Sequence, residues 1–284
     1  MKMTALLRSR SRSRAILPAL ALALIAAVPA IVSTAQAATL VANQDAHVQG
    51  GSSADSNFNP ATNNLQVGAR GIDYNRKAWL GFNLSGLIPA GQKIDAATLR
   101  LTFATFAPNT STESVTLNVY GIIDTNDTWD QTTLTWNNAP KNDTTSAGGV
   151  LATGTTFLGE VTFTPSSTPA NTTITFSSAN LASYLNWAAG LSGDAYGNGI
   201  TTDTDKTVTL ILTSISSSAP AVTFYSLEGT GMAERKPQLD VTFVSQIPEP
   251  STCALGAGLL ILAAVLIPRL LPRLHARSRQ TRHC

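Results

Sequence analysis

The long middle of this sequence has no cysteine. Of 284 residues only Cys253 and Cys284 are cysteines, and both lie close to the end. A disulfide framework and a thiolate zinc site are thereby excluded from everything before them. Histidine is almost as scarce. His47 is the single histidine ahead of residue 247, the other two being His275 and His283. A histidine-based triad and a multi-histidine metal centre are therefore excluded from the body of the chain. No Gly-x-Ser-x-Gly, His-Glu-x-x-His or phosphate-binding glycine loop occurs. Carboxylate pairs remain available, but spacing in sequence does not fix their separation in space. The expectation is a protein that is not an enzyme.

A basic middle is also missing. The whole chain has a formal net charge of +2, yet ten of its 19 Lys and Arg residues sit at the two ends: Lys2, Arg8, Arg10, Arg12 and Arg14 at one, Arg269, Arg273, Arg277, Arg279 and Arg282 at the other. Residues 38–246 keep nine bases against 16 acids, so this part is about seven charges negative. That balance argues against a nucleic-acid partner, which needs a basic face on the domain itself.

The ends read as sorting signals. Residues 1–37 combine a basic, acid-free start, the apolar run Ala15–Val32, and Ala35-Gln36-Ala37 as a small-x-small cleavage pattern. These are the parts of an export signal handled by the Sec machinery, with cleavage expected after Ala37. Residues 247–284 begin with Pro248-Glu249-Pro250 and continue into the uncharged run Cys253–Ile267, followed by the arginine cluster. The run reaches a membrane-spanning length if Ser251, Thr252, Leu270 and Leu271 are drawn in while Arg269 and Arg273 snorkel. A C-terminal transmembrane helix with cytoplasmic arginines is expected, leaving the folded part outside.

Residues 38–246 are rich in Thr, Ser, Asn, Ala and Gly, and their apolar residues recur with period two. Strands are expected at 39–41, 64–67, 78–84, 94–103, 115–120, 157–163, 171–176, 208–212, 222–225 and 239–244. Turn residues separate them, as at Pro89-Ala90-Gly91 and Ser192-Gly193-Asp194. One segment breaks the alternation. In 178–189, Leu181, Tyr184, Leu185 and Ala188 fall at helical spacing between a serine cap and Gly190. The pattern predicts an all-β fold, an antiparallel β-sandwich of jelly-roll type with one short helix.

Two of the four tryptophans, Trp129 and Trp136, lie in the short stretch DTWDQTTLTWNNAP, residues 127–140. Exposed indoles there would make a platform for sugar rings; buried ones would anchor a core. Leu134 and Trp136, two apart, are expected on the buried face of a strand. Trp129 stays open. For metals, Asp203-Thr204-Asp205 and the series Asp124, Asp127, Asp130 offer oxygen ligands, but neither completes a calcium-loop pattern, and Asp is also a common turn residue. A structural calcium ion is left open and no ligand is assigned. For sugars, the aromatic candidates are Tyr74, Trp187 and Tyr196, with Arg70, Arg76 and Lys77 as the densest basic group. Stacking faces and charged edges of this kind hold pyranose rings and uronate carboxylates. The alternatives are a solvated hairpin loop for Arg76 and Lys77, and a core position for Trp187.

Several motifs in order then resemble a known family. Asp45-Ala46, Asn57-Phe58, Leu65-Gln66-Val67-Gly68, Arg76, Trp79-Leu80-Gly81-Phe82-Asn83-Leu84-Ser85, Pro89-Ala90-Gly91, Trp129, Thr135-Trp136-Asn137-Asn138-Ala139-Pro140, Tyr225-Ser226-Leu227-Glu228 and Lys236-Pro237-Gln238-Leu239-Asp240-Val241 are similar to the DNRLRE, or disaggregatase-related, domains. These are grouped with carbohydrate-binding module family 96. The resemblance implies a non-catalytic module for extracellular polysaccharide, acidic ones such as alginate among them. The tail resembles a PEP-CTERM segment, which implies sorting by an exosortase to the cell surface or extracellular matrix after transient membrane anchoring. A structural matrix protein of a biofilm, without specific sugar binding, is the alternative.

Overall fold

The computed structural model describes residues 36–59, 64–69, 71–107, 112–125, 128–215, 221–229 and 233–246. The export signal, Arg70, Asp127, Pro248, Glu249, Pro250 and the C-terminal apolar run lie outside them, apart from Gln36 and Ala37. Among the described residues no helix is long and apolar enough to cross a membrane.

Eleven strands form one curled, wholly antiparallel sheet, in the order β1-β11-β5-β10-β3-β4-β9-β6-β7, with β2 beside β4 and β8 beside β5. They are β1 (Gln36–Val41), β2 (Gln44–Gln49), β3 (Asn64–Ala69), β4 (Asn75–Asn83), β5 (Gln92–Ala107), β6 (Val115–Ile122), β7 (Thr155–Phe163), β8 (Thr173–Ser177), β9 (Thr207–Thr213), β10 (Ala221–Tyr225) and β11 (Gln238–Ser245). All ten expected strands are present. The eleventh, β2, reads QDAHVQ, too polar for alternation to reveal. Strand β1 starts at Gln36 and pairs Gln36 with Phe243 and Ala37 with Thr242, so pairing begins two residues before the expected cleavage point.

Strand β5 turns the sheet on itself. Residues 92–100 pair with β11 and residues 103–107 with β10. Side chains from both arms of the sheet meet in one core: Leu99, Phe103 and Val241 from one, Leu80, Phe82, Leu117 and Leu210 from the other. The one α-helix among the described residues, α1 (Ala179–Ala188), fills the same core with Leu181, Tyr184, Leu185 and Trp187. Ser178 caps it by accepting from Leu181 N through Oγ at 3.0 Å, and Gly190 at φ +79° ends it. The result is a sandwich-like all-β fold with one short helix.

The tryptophan-rich stretch is not a strand. Residues 128–141 are a chain of turns laid across the outer face of β2, β4, β6 and β9. Alternation explains why that face needs cover. Along β4, Ala78, Leu80 and Phe82 point to the main core, which puts Trp79 on the other side. Trp79 and Ile211, both fully buried, join Ala46, Val48 and Ile122 in a second cluster closed by Trp129, Leu134 and Trp136. Strands covered on both faces read as continuous apolar runs, as Ala78–Phe82 does. Burying these indoles needs acceptors for their N–H groups, and they are in place: Trp79 Nε1 donates to Pro140 O at 3.0 Å and Trp129 Nε1 to Thr209 Oγ1 at 3.0 Å. No platform for sugar rings exists there, and Trp129 is settled as core at 9% exposure.

Candidate functional site

Two turns meet at the end of the β3–β4 hairpin. Residues Ile72–Tyr74 form a single 3-10 turn leading into β4, and Gly51–Ser53 form another after β2. Gly51 holds φ +66°, and a Cβ there would lie 2.1 Å from Asp73 Oδ1, so only glycine lets the two turns touch. Gln49 stitches them. Its Nε2 donates to Asp73 O at 3.0 Å and to Ser53 Oγ at 3.3 Å, while its Oε1 accepts from Arg76 Nε at 2.9 Å. Arg76 is thereby held with its guanidinium 6.0 Å from the centroid of the Tyr74 ring. Tyr74 itself is 58% exposed. The outcome is an exposed aromatic ring, a guanidinium fixed beside it, and a rim of amide, hydroxyl and carboxylate oxygens.

The other expected contacts separate from this place. Lys77 is fully buried, because the alternation of β4 turns it under the tryptophan-rich loop. Its Nζ donates to Asn142 Oδ1 at 2.8 Å, Asp143 O at 2.9 Å and Gly149 O at 2.6 Å, and lies 4.4 Å from the centroid of Trp136. Burial pulls its pKa down to about 8, with the Asp143 carboxylate opposing. This ammonium is internal glue, not a surface charge for a polyanion. Trp187 is likewise fully buried in α1, stacked on Tyr184 at 5.8 Å, its Nε1 donating to Ile200 O. Lys77 is corrected from a surface candidate to core, and for Trp187 the core alternative holds, so neither can be a sugar contact. Tyr196 is half-buried, edge-on to Trp187 at 5.4 Å, its hydroxyl pushed up to about 12 by burial. It belongs to the loop after α1 and shares no described contact with Tyr74.

A second tyrosine–arginine pair escaped the sequence reading. Arg235 lies 5.4 Å from the ring of Tyr225, whose hydroxyl meets Asn171 Oδ1 at 3.1 Å. Ten residues separate the two, so only folding pairs them. Three further bases are engaged: Arg100 pairs with Asp240 at 3.5 Å, Lys141 with Asp124, and Lys206 donates to Ala189 O and Thr202 Oγ1. Of the aspartates considered for calcium, Asp130, Asp203 and Asp205 cap their own turns, Asp124 pairs with Lys141, and Asp127 lies outside the described residues. Asp130 Oδ1 accepts from Thr132 N and Oγ1, and Asp205 Oδ1 from Thr207 N. No group of three His, Cys, Asp or Glu gathers as a metal cage among the described residues.

Comparison with known families bears on the hairpin directly. Residues 36–157 match the model of carbohydrate-binding module family 96. This stretch is similar to a carbohydrate-binding module. It contains Tyr74, Arg76, Gln49 and the whole tryptophan-rich loop, but not Tyr225 or Arg235. Strands β8 to β11 lie beyond it, although β4 and β5 depend on them for pairing. No curated protein matches the chain.

Proposed function

We propose that this chain is an exported, non-catalytic module that binds extracellular polysaccharide, with the β3–β4 hairpin end as its contact surface. The observation that carries the reading is the exposed Tyr74 ring with Arg76 fixed beside it, inside the stretch similar to carbohydrate-binding module family 96. An aromatic face takes the apolar side of a pyranose, and polar groups around it take the hydroxyl edge. A guanidinium adds charge-assisted bonds to a uronate carboxylate, which favours acidic polysaccharide. Arg70, which precedes the same turn in sequence, joins the proposed contact. The overall negative charge works against a polyanion, so attraction rests on this local patch.

Affinity electrophoresis in gels containing alginate, pectin or neutral glucan tests the proposal. Retardation is expected in the acidic gels and is lost on Tyr74→Ala or Arg76→Ala. Unchanged mobility of the unaltered protein in every gel would favour a structural matrix protein instead. For the tail, the Pro248-Glu249-Pro250 segment, the apolar run and the arginines support sorting by an exosortase after Sec export, ending at the cell surface or in the matrix. Replacing the three tail residues with alanine is expected to hold the protein in the membrane fraction; unaltered release would refute this sorting route.

A further inference from the structure

Seven buried side-chain oxygens have no hydrogen-bond partner among the described residues, and four of them, Asp45 Oδ1, Asn59 Oδ1, Ser226 Oγ and Glu228 Oε2, belong to residues lining one small cavity. Chance scatter does not concentrate orphaned acceptors in this way, since each one costs desolvation energy. We propose that Asp45, Asn59, Ser226 and Glu228 form a binding site for one calcium-class divalent cation, which ties the start of the domain to its end.

The rest of the cluster is arranged around those four oxygens. Asp45 is fully buried in β2, and its other oxygen, Oδ2, accepts from Leu227 N at 2.7 Å. Glu228 Oε1 accepts from Gln131 Nε2 at 2.8 Å, and Gln131 Oε1 accepts from Asp45 N at 2.9 Å. Gln131 therefore sets both acids and fixes its own amide orientation. Asn59 Nδ2 donates to Asp45 O at 2.7 Å. A flipped Asn59 amide would set two oxygens against each other, so Oδ1 must be the atom left over. Asp45, Asn59 and Glu228 thus each have their second side-chain polar atom occupied and one oxygen spare, as supporting hydrogen bonds orient ligands around a metal, and Ser226 adds its lone hydroxyl.

Asp45 and Glu228 lie within each other's field in this buried cluster. Lys236 is the cation whose field reaches Asp45, and it is the weakest influence on that carboxyl. His47, in the cavity wall, is stacked on Phe58 at 5.1 Å and has its pKa lowered to about 4, so it stays neutral. A divalent ion neutralises both acids. Two carboxylates, an amide oxygen and a hydroxyl form an all-oxygen set, which suits a hard cation.

The test strips the full chain with EDTA, dialyses it, and follows calorimetric titration and thermal unfolding with calcium chloride, magnesium chloride as control. No sugar is involved, so its outcome is independent of polysaccharide binding. Calcium at a hundredfold excess over its dissociation constant is expected to raise Tm by roughly 5–10 °C. Glu228→Gln is expected to weaken binding at least tenfold and Ser226→Ala several-fold. Should Glu228→Gln not fold, Ser226→Ala, which removes one hydroxyl, carries the test. Absence of heat and of a Tm shift up to about 10 mM calcium, well above extracellular-module affinities, overturns the site in favour of a proton shared by the two acids. Wild-type calcium response in both variants overturns it equally.

Discussion

Lys77 and Asp45 are both titratable residues buried to 0% exposure on neighbouring strands. Their surroundings differ completely. The Lys77 ammonium has three donors and three oxygen acceptors to receive them, with an indole face alongside. The Asp45 cluster leaves four side-chain oxygens without a hydrogen-bond partner among the described residues. The fold satisfies every donor of one buried polar cluster, so the unpartnered oxygens of the other mark a missing partner. A buried charge is tolerable only when paired and hydrogen-bonded.

The largest expected effect comes from the lid over Lys77. Trp136→Ala removes a core indole and uncovers the ammonium, and should cost about 3–5 kcal/mol in urea unfolding. A stable variant with lost sugar binding would return Trp136 to the surface. Lys77→Met keeps the volume but orphans three carbonyl-type oxygens, for an expected loss of about 2–3 kcal/mol. A loss below about 0.5 kcal/mol would break the contrast between the two clusters. Asp45→Asn should depend on conditions. In EDTA its stability should lie within about 1 kcal/mol of the original, since one repulsion disappears, while in calcium it should fall behind by the whole stabilisation the ion confers. Equal deficits in both buffers would make Asp45 merely structural.

The smallest effect is a slope with pH. The folded Lys77 releases its proton near 8 and the unfolded chain near 10.5. Between those values the unfolded state holds more protons, so stability rises with pH; below 8 both states are charged and the slope vanishes. The difference between the original protein and Lys77→Met isolates this from the tyrosines. A flat difference between pH 8 and 10.5 would mean that the indole and carbonyls fully offset the burial.

The strands were legible because a sheet buried on alternate residues writes that alternation into the chain. Strand β2 was not, since Asp45, His47 and Gln49 point into polar pockets and erase the pattern. Lys77 reads as a surface charge in any sequence, because lysine is rarely buried without partners, and its partners lie 65 to 72 residues away. Tyr74 and Arg76 were legible as neighbours in sequence; Gln49, which fixes them, was not. The oxygens at 45, 59, 226 and 228 are joined only by the fold.

The loop from 128 to 146 has a final consequence. Through Trp136, Asn142 and Asp143 it closes over Lys77, and through Gln131 it grips Asp45 and Glu228. A stretch without regular structure is ordinarily where proteases cut first. Here one segment seals two charged interiors, so it cannot lift without wetting both, and its resistance to trypsin or thermolysin becomes a gauge of the whole domain's integrity.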